Sequence, residues 1–171
     1  DAIDLGTNGS VADTLELATA ELANVTATTL QVGAAAAGAV TVSADVTPSN
    51  VTDLHVLSGS TVTGTAGGVI ATGLAVTAGG IVNITDPQTN VTNLAVDTSG
   101  NVTFTEADGF SVTTVDSVVD VDTDAGDVAL TATAGSMTLN TINATGTVTL
   151  RADAGSITDA NADTNNITAT A

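Results

Sequence analysis

Residues 54–98 read LHVLSGSTVTGTAGGVIATGLAVTAGGIVNITDPQTNVTNLAVDT, and one short motif occurs three times in this stretch. A leucine, a variable residue and a valine begin at Leu54, Leu74 and Leu94, so the motif returns every 20 residues. A fixed period of this length is typical of stacked repeat architectures. The stretch therefore predicts a repeat protein.

The same period continues beyond this stretch. Valines at positions 62, 82 and 102 form a second series with the same interval. Further along, residues 126–138 (GDVALTATAGSMT) and 146–158 (GTVTLRADAGSIT) are identical at eight of thirteen positions. Before about residue 50 the apolar triplets are irregularly spaced, which predicts insertions or longer turns there.

The residue types favour strands. Hydrophobic residues make up 43% of the chain but aromatic residues only 1%, so the core has to be built from Val, Leu, Ile and Ala. A triplet that alternates apolar and polar residues is too short for a stable hairpin, and one repeat cannot bury its apolar face alone. Stacking brings equivalent residues to one strand spacing, about 4.8 Å. We predict an all-β fold, a right-handed parallel β-helix (β-solenoid) with coils of about 20 residues.

This fold predicts three further features. Leu54, Leu74 and Leu94 should form one internal column. No shift in composition marks a domain boundary, so residues 1–171 are interpreted as a single continuous solenoid segment, less regular before about residue 50. Because Asp1 is not a natural start, we expect the segment to be an excerpt of a longer chain.

The charge restricts the partners. The formal net charge is −18, and Arg151 is the only Lys or Arg. Nucleic acid is excluded, because binding its phosphates requires basic side chains. No apolar run approaches the roughly 18 residues of a membrane span, so direct membrane insertion is not expected. The partners that remain are flanking coils or other copies of the same protein, and carbohydrate on a host or cell surface.

The chain resembles the filamentous-haemagglutinin type of repeat found in large secreted bacterial adhesins. The resemblance is carried by residues 62–112, with IATGLAVT at 70–77, NVTNLAV at 90–96 and GNVTFTEAD at 100–108, and by residues 146–159. It covers roughly the last two thirds of the chain. The resemblance implies export, a β-helical shaft, and a role in adhesion or biofilm building at the cell surface.

One group of acidic residues predicts a metal site. Asp120, Asp122, Asp124 and Asp127 follow one another closely, with Gly126 among them. Alternate carboxylates before a tight turn supply the oxygen ligands that calcium prefers. The alternative is a strand with a solvated acidic outer face. No other cofactor is predicted.

The remaining chemical groups do not predict an enzyme. His55 lies between two inward residues and so should face outward, with no supporting catalytic motif. Arg151 should also face outward, where it would pair with Asp153 or a neighbouring coil. Phe104 and Phe110 fall at inward positions, so neither is expected to form a platform for a sugar. We predict no catalytic residue.

The sequence leaves three candidate functions. The favoured one is a structural or adhesive shaft module of a large secreted surface protein. The second is a repeating subunit or segment of an extracellular filament or surface layer. A remote third, a carbohydrate-active β-helix enzyme, would need a cleft with paired carboxylates.

Overall fold

The computed structural model describes residues 1–9, 11–162 and 165–170, and it is built almost entirely of strands. Within these residues the one helix is the short α1, Thr19–Leu22. The strands are β1 Ala2–Gly6, β2 Thr14–Ala18, β3 Ala27–Ala34, β4 Val40–Val42, β5 Val51–Ser58, β6 Val62–Gly64, β7 Ile70–Ala78, β8 Val82–Ile84, β9 Asn90–Thr98, β10 Val102–Glu106, β11 Phe110–Val112, β12 Val121–Thr123, β13 Val128–Ala132, β14 Met137–Leu139, β15 Ile142–Ala144, β16 Val148–Ala152, β17 Ile157–Asp159 and β18 Ile167–Ala169. The predicted all-β class is confirmed.

The strands form two parallel sheets. The first has eight strands in the order β16-β13-β10-β8-β6-β4-β1-β2. The second sheet has ten strands. One edge of β9 pairs with both β11 and β12, and its other edge pairs with β7, which is followed by β5 and β3. From β4 onward the chain passes back and forth between the two sheets. Parallel neighbours therefore come from successive repeats and not from hairpins.

The register follows the 20-residue period. Leu54 pairs with Leu74 and Leu74 with Leu94, and each of the three side chains is 0% exposed. The predicted internal column is thus confirmed. In the first sheet, the valines at 62, 82 and 102 pair in the same way. The second sequence repeat is confirmed as well, because Val128 pairs with Val148.

A single apolar cluster lies between the sheets and runs through most of the chain. Its residues are mainly Val, Leu, Ile and Ala. Each fully buried Val, Leu or Ile side chain contributes about 1.5–3 kcal/mol to the stability of the fold. Phe104 and Phe110 point into this core, as predicted, and their rings meet edge to face with centroids 5.3 Å apart. The two aromatic rings are therefore core residues.

The first forty residues depart from the period. β1 lies between β2 and β4, so Ile3 pairs both with Leu15 and with Val40. Helix α1, which the sequence did not predict, places Leu22 in the core. Among the described residues, no helix has the length and hydrophobicity needed to cross a membrane.

A second departure lies at residues 113–120, which we call the insertion. β9 has two short partners: Val112 pairs with Leu94, 18 residues earlier, whereas Val121 pairs with Val96, 25 residues earlier. In the next repeat only residues 140 and 141 separate the corresponding strands β14 and β15. The insertion therefore adds six residues in the middle of a repeat and leaves the sheet on its outer face.

Candidate functional site

The insertion folds back over the outer face of the second sheet. Val115 and Val118 form an antiparallel bridge and pack against Ala75 and Ala95, which makes a small apolar cluster separate from the main core. Small residues on the sheet permit this contact. A Cβ at Gly73 would lie 2.9 Å from a methyl group of Val115, closer than such atoms approach.

The backbone of the insertion is strained. Asp116, Ser117 and Asp120 have positive φ angles of 43°, 71° and 57°. For a residue other than glycine, such a conformation costs about 1–3 kcal/mol, so the surrounding contacts have to stabilise it. Two anchors do so, the apolar cluster and a contact with His55.

His55 is the centre of a polar group of three side chains. Its Nδ1 atom lies 2.8 Å from Oδ2 of Asp116, and its Nε2 atom lies 3.1 Å from Oγ1 of Thr77. An ionised carboxylate only accepts, so Nδ1 donates to Asp116, and in a neutral ring Nε2 then accepts from the Thr77 hydroxyl. His55 faces away from the core, as predicted. It is nevertheless only 8% exposed, because the insertion covers it.

A cavity of about 370 Å³ opens beside these residues. Its walls include His55, Thr77, Asp97, Asp116, Val118 and Val119. Val119 is 62% exposed and forms an apolar rim. The insertion thus converts a flat outer face into a cleft.

Carboxylates make the cleft strongly negative. Asp97 lies beside Asp122 on the neighbouring strand. Burial raises the pKa of Asp97, and the charges of Asp122 and Asp124 raise it further. The pKa of Asp53 is also raised, first by burial and then by the charge of Asp116. An anionic ligand would be repelled here.

The four aspartates of the predicted calcium site differ in their hydrogen-bond partners and exposure. Asp120 is buried, and Nδ2 of Asn140 lies 3.0 and 2.9 Å from its two carboxylate oxygens. Asp127 accepts a hydrogen bond of 2.7 Å from the backbone N–H of Thr147. These two carboxylates therefore already serve as hydrogen-bond acceptors that tie one repeat to the next.

The other two aspartates are Asp122, which is half-buried, and Asp124. Asp122 accepts a hydrogen bond of 3.2 Å from Asn143 and shares the cleft with Asp97, while Asp124 is exposed. In the part of the chain that the structure describes, no group of three or more His, Cys, Asp or Glu side chains is arranged to hold a metal ion. The calcium site stays a prediction.

Two further charged residues, Arg151 and Glu106, lie outside the cleft. Arg151 is exposed and forms an ion pair with Asp153, as predicted. Glu106 lies on the inner side of β10, is 0% exposed, and has no hydrogen-bond partner for either carboxylate oxygen within the described residues. Burial raises its pKa to about 7, although the nearby N–H groups of Asp108 and Val91 act in the opposite direction.

The sequence signal for the cleft was a break in the period. The valine series proceeds from 62 to 82 to 102 and resumes only at Val128, 26 residues later. That interval could have located the insertion. The contact between His55 and Asp116, 61 residues apart, has no local signal in the sequence.

Comparison with protein-family models, with curated proteins and with solved structures found no significant match. The similarity to filamentous-haemagglutinin-type repeats therefore stays a prediction from the sequence.

Proposed function

We propose that this chain is a segment of a right-handed parallel β-helix that serves as the structural or adhesive shaft of a large secreted surface protein. One observation carries the proposal: the strands of each repeat pair in parallel and in register with those of the next repeat. Such a solenoid grows only along its axis. Eight strands side by side, at about 4.8 Å each, give a length of roughly 40 Å.

The composition supports an extracellular setting. A net charge of −18 keeps an extended rod soluble and separates neighbouring rods. Because Arg151 is the only Lys or Arg, trypsin-like proteases have a single site. The partners of the proposed shaft are flanking coils of the same protein and carbohydrate on the surfaces that it joins.

Location tests the proposal. Antibodies raised against the folded chain should label intact cells of the source organism, and permeabilising the cells should add little signal. Label that appears only after permeabilisation would place the protein inside the cell and contradict a surface shaft.

A filament or surface-layer segment is the second candidate: exposed apolar residues at one edge of the structure would be covered by flanking coils in the shaft and by another copy in the filament. Ile157 on β17 and Ile167 on β18 are each 44% exposed, on strands whose outer edges have no partner among the described residues. An uncovered edge of this kind pairs readily with another chain. End-to-end stacking of copies would cover both residues.

Sedimentation at increasing concentration separates the two candidates. A filament segment should self-associate, and Ile157→Lys with Ile167→Lys should abolish the association. Val119→Lys, at an even more exposed apolar position on the insertion, is the control and should leave the association unchanged. A wild-type chain that remains monomeric at all concentrations would remove the filament alternative.

A further inference from the structure

The three side chains at the cleft come from separate parts of the chain. His55 lies on β5, Thr77 on β7 and Asp116 on the insertion. A hydroxyl, an imidazole and a carboxylate in this order, joined by contacts of 3.1 and 2.8 Å, are the parts of an activated nucleophile. In such a set the hydroxyl acts as the nucleophile, the ring as its base, and the carboxylate orients the ring.

The arrangement exceeds what anchoring the insertion requires. The contact between Asp116 and Nδ1 of His55 alone would tie the insertion to the sheet. The second ring nitrogen instead meets a hydroxyl at the wall of an open cavity. In the same row of the sheet the positions equivalent to His55 are Gln31, Ala75 and Ala95, so the imidazole is specific to this one repeat.

The walls of the cavity define the class of substrate. Asp97 and Asp122 repel anionic molecules, while Val118 and Val119 offer an apolar surface to a short acyl or alkyl group. A volume of about 370 Å³ accommodates a small molecule or the end of a larger one. Neutral esters of short carboxylic acids fit these conditions.

We propose that Thr77 is a nucleophile activated by His55, and that the cleft hydrolyses neutral carboxylic esters. The Thr77 oxygen attacks the ester carbonyl while its proton passes to Nε2 of His55. The C–O bond to the alcohol then breaks, and the alcohol leaves with that proton. Water attacks the acyl-threonine in the same way, which releases the carboxylic acid and restores the Thr77 hydroxyl.

Asp116 is a positioning residue in this scheme. It holds the ring in the tautomer that leaves Nε2 free to accept a proton.

The composition of the chain makes the test unusually clean. It has no Cys, no Tyr and no Lys, so three of the side chains that compete for acylating and phosphonylating reagents are absent. The probe is a neutral fluorophosphonate. The Thr77 oxygen would form a bond to phosphorus, fluoride would leave, and His55 would accept the proton. Digestion with an aspartate-specific protease and mass spectrometry then locate the adduct.

The expected result is an adduct on Thr77 and none on Thr103 or Thr149, which are exposed threonines on other strands. His55→Gln should slow the labelling by about 100-fold or more, because the base is lost. Asp116→Asn should slow it as well, because the ring adopts the other tautomer. Thr77→Ser should retain labelling, now on the new hydroxyl.

Equal labelling of Thr77 and Thr103 in the wild type would overturn the proposal. The three side chains would then only fasten the insertion to the sheet. This comparison needs no variant, so it decides the question even if His55→Gln or Asp116→Asn fails to fold. Circular dichroism of each variant shows whether it is folded, and only the labelling rate of a folded variant is compared with that of the wild type.

Discussion

Leu74 lies directly beside Leu54 on the neighbouring strand, although 20 positions separate the two residues in the chain, and both side chains are fully buried. The same contact recurs between Leu74 and Leu94. Each leucine therefore stabilises two repeats at once. The period visible in the sequence is the period of the packing.

Truncation of the middle leucine tests this column. Leu74→Ala should lower the free energy of unfolding by about 2–5 kcal/mol, because it leaves a cavity between two buried leucines. Thr72→Ala on the same strand is exposed and should change it by less than about 0.5 kcal/mol. Urea denaturation followed by circular dichroism measures both. Equal effects would mean that the column does not carry the packing.

Glu106 gives the fold a pH dependence. Its pKa rises from the ordinary 4.5 to about 7 in the folded state, so between these values the folded chain holds a proton that the unfolded chain has lost. Stability should therefore fall as pH rises from about 4.5 to 7, by on the order of 3 kcal/mol from this group.

Glu106→Gln removes the titrating group while it keeps the shape. The variant should be more stable than the wild type at pH 8, and the difference should shrink towards pH 4. Urea denaturation at a series of pH values measures it. A constant difference across this range would show that Glu106 does not titrate as its burial implies.

The period explains what the sequence could predict. The strands, the leucine column and the inward Phe104 follow from residue type and spacing, because identical neighbours in register share one environment. Non-periodic features could not be obtained in this way. Helix α1, the buried carboxyl of Glu106 and the cover over His55 each depend on contacts that no neighbouring repeat duplicates.

The insertion should be dispensable for the fold. Deletion of residues 114–119 leaves two residues between β11 and β12, the same number that joins β14 to β15. Two buried valines are lost, at about 1.5 kcal/mol or more each, but three strained residues are relieved or removed. The free energy of unfolding should therefore change by less than about 2 kcal/mol.

The same deletion should expose His55. Because it is the only histidine, its ring gives a single set of NMR signals that reports accessibility to a paramagnetic agent. We expect strong broadening in the deletion variant and weak broadening in the wild type. Loss of the β-sheet signal in circular dichroism would instead make the insertion essential to folding.

Divalent ions should stabilise the chain if the aspartates around the cleft bind calcium. Asp122 and Asp124 already raise the pKa of Asp97 by repulsion, which a bound cation would relieve. Calcium should raise the melting temperature more than sodium chloride of equal ionic strength does. Asp122→Asn with Asp124→Asn should abolish this excess.

The matched control for calcium is Asp13→Asn with Glu16→Gln. This pair makes the same change in charge at the β2 end of the first sheet, whereas Asp122 and Asp124 belong to the β12 region of the second sheet. This pair should keep the excess stabilisation. If both salts act equally on the wild type, the carboxylates are only solvated.

Duplication of one repeat tests the stacked architecture most directly. A second copy of residues 61–80 inserted after Gly80 adds one complete period, whereas a second copy of residues 61–70 adds half of one. We predict that the 20-residue duplication keeps a single cooperative melt at an equal or higher temperature and lengthens the particle by about 4.8 Å in small-angle scattering. The 10-residue duplication should lower the melting temperature sharply. A 20-residue duplication that unfolds, or that behaves like the 10-residue one, would contradict the account.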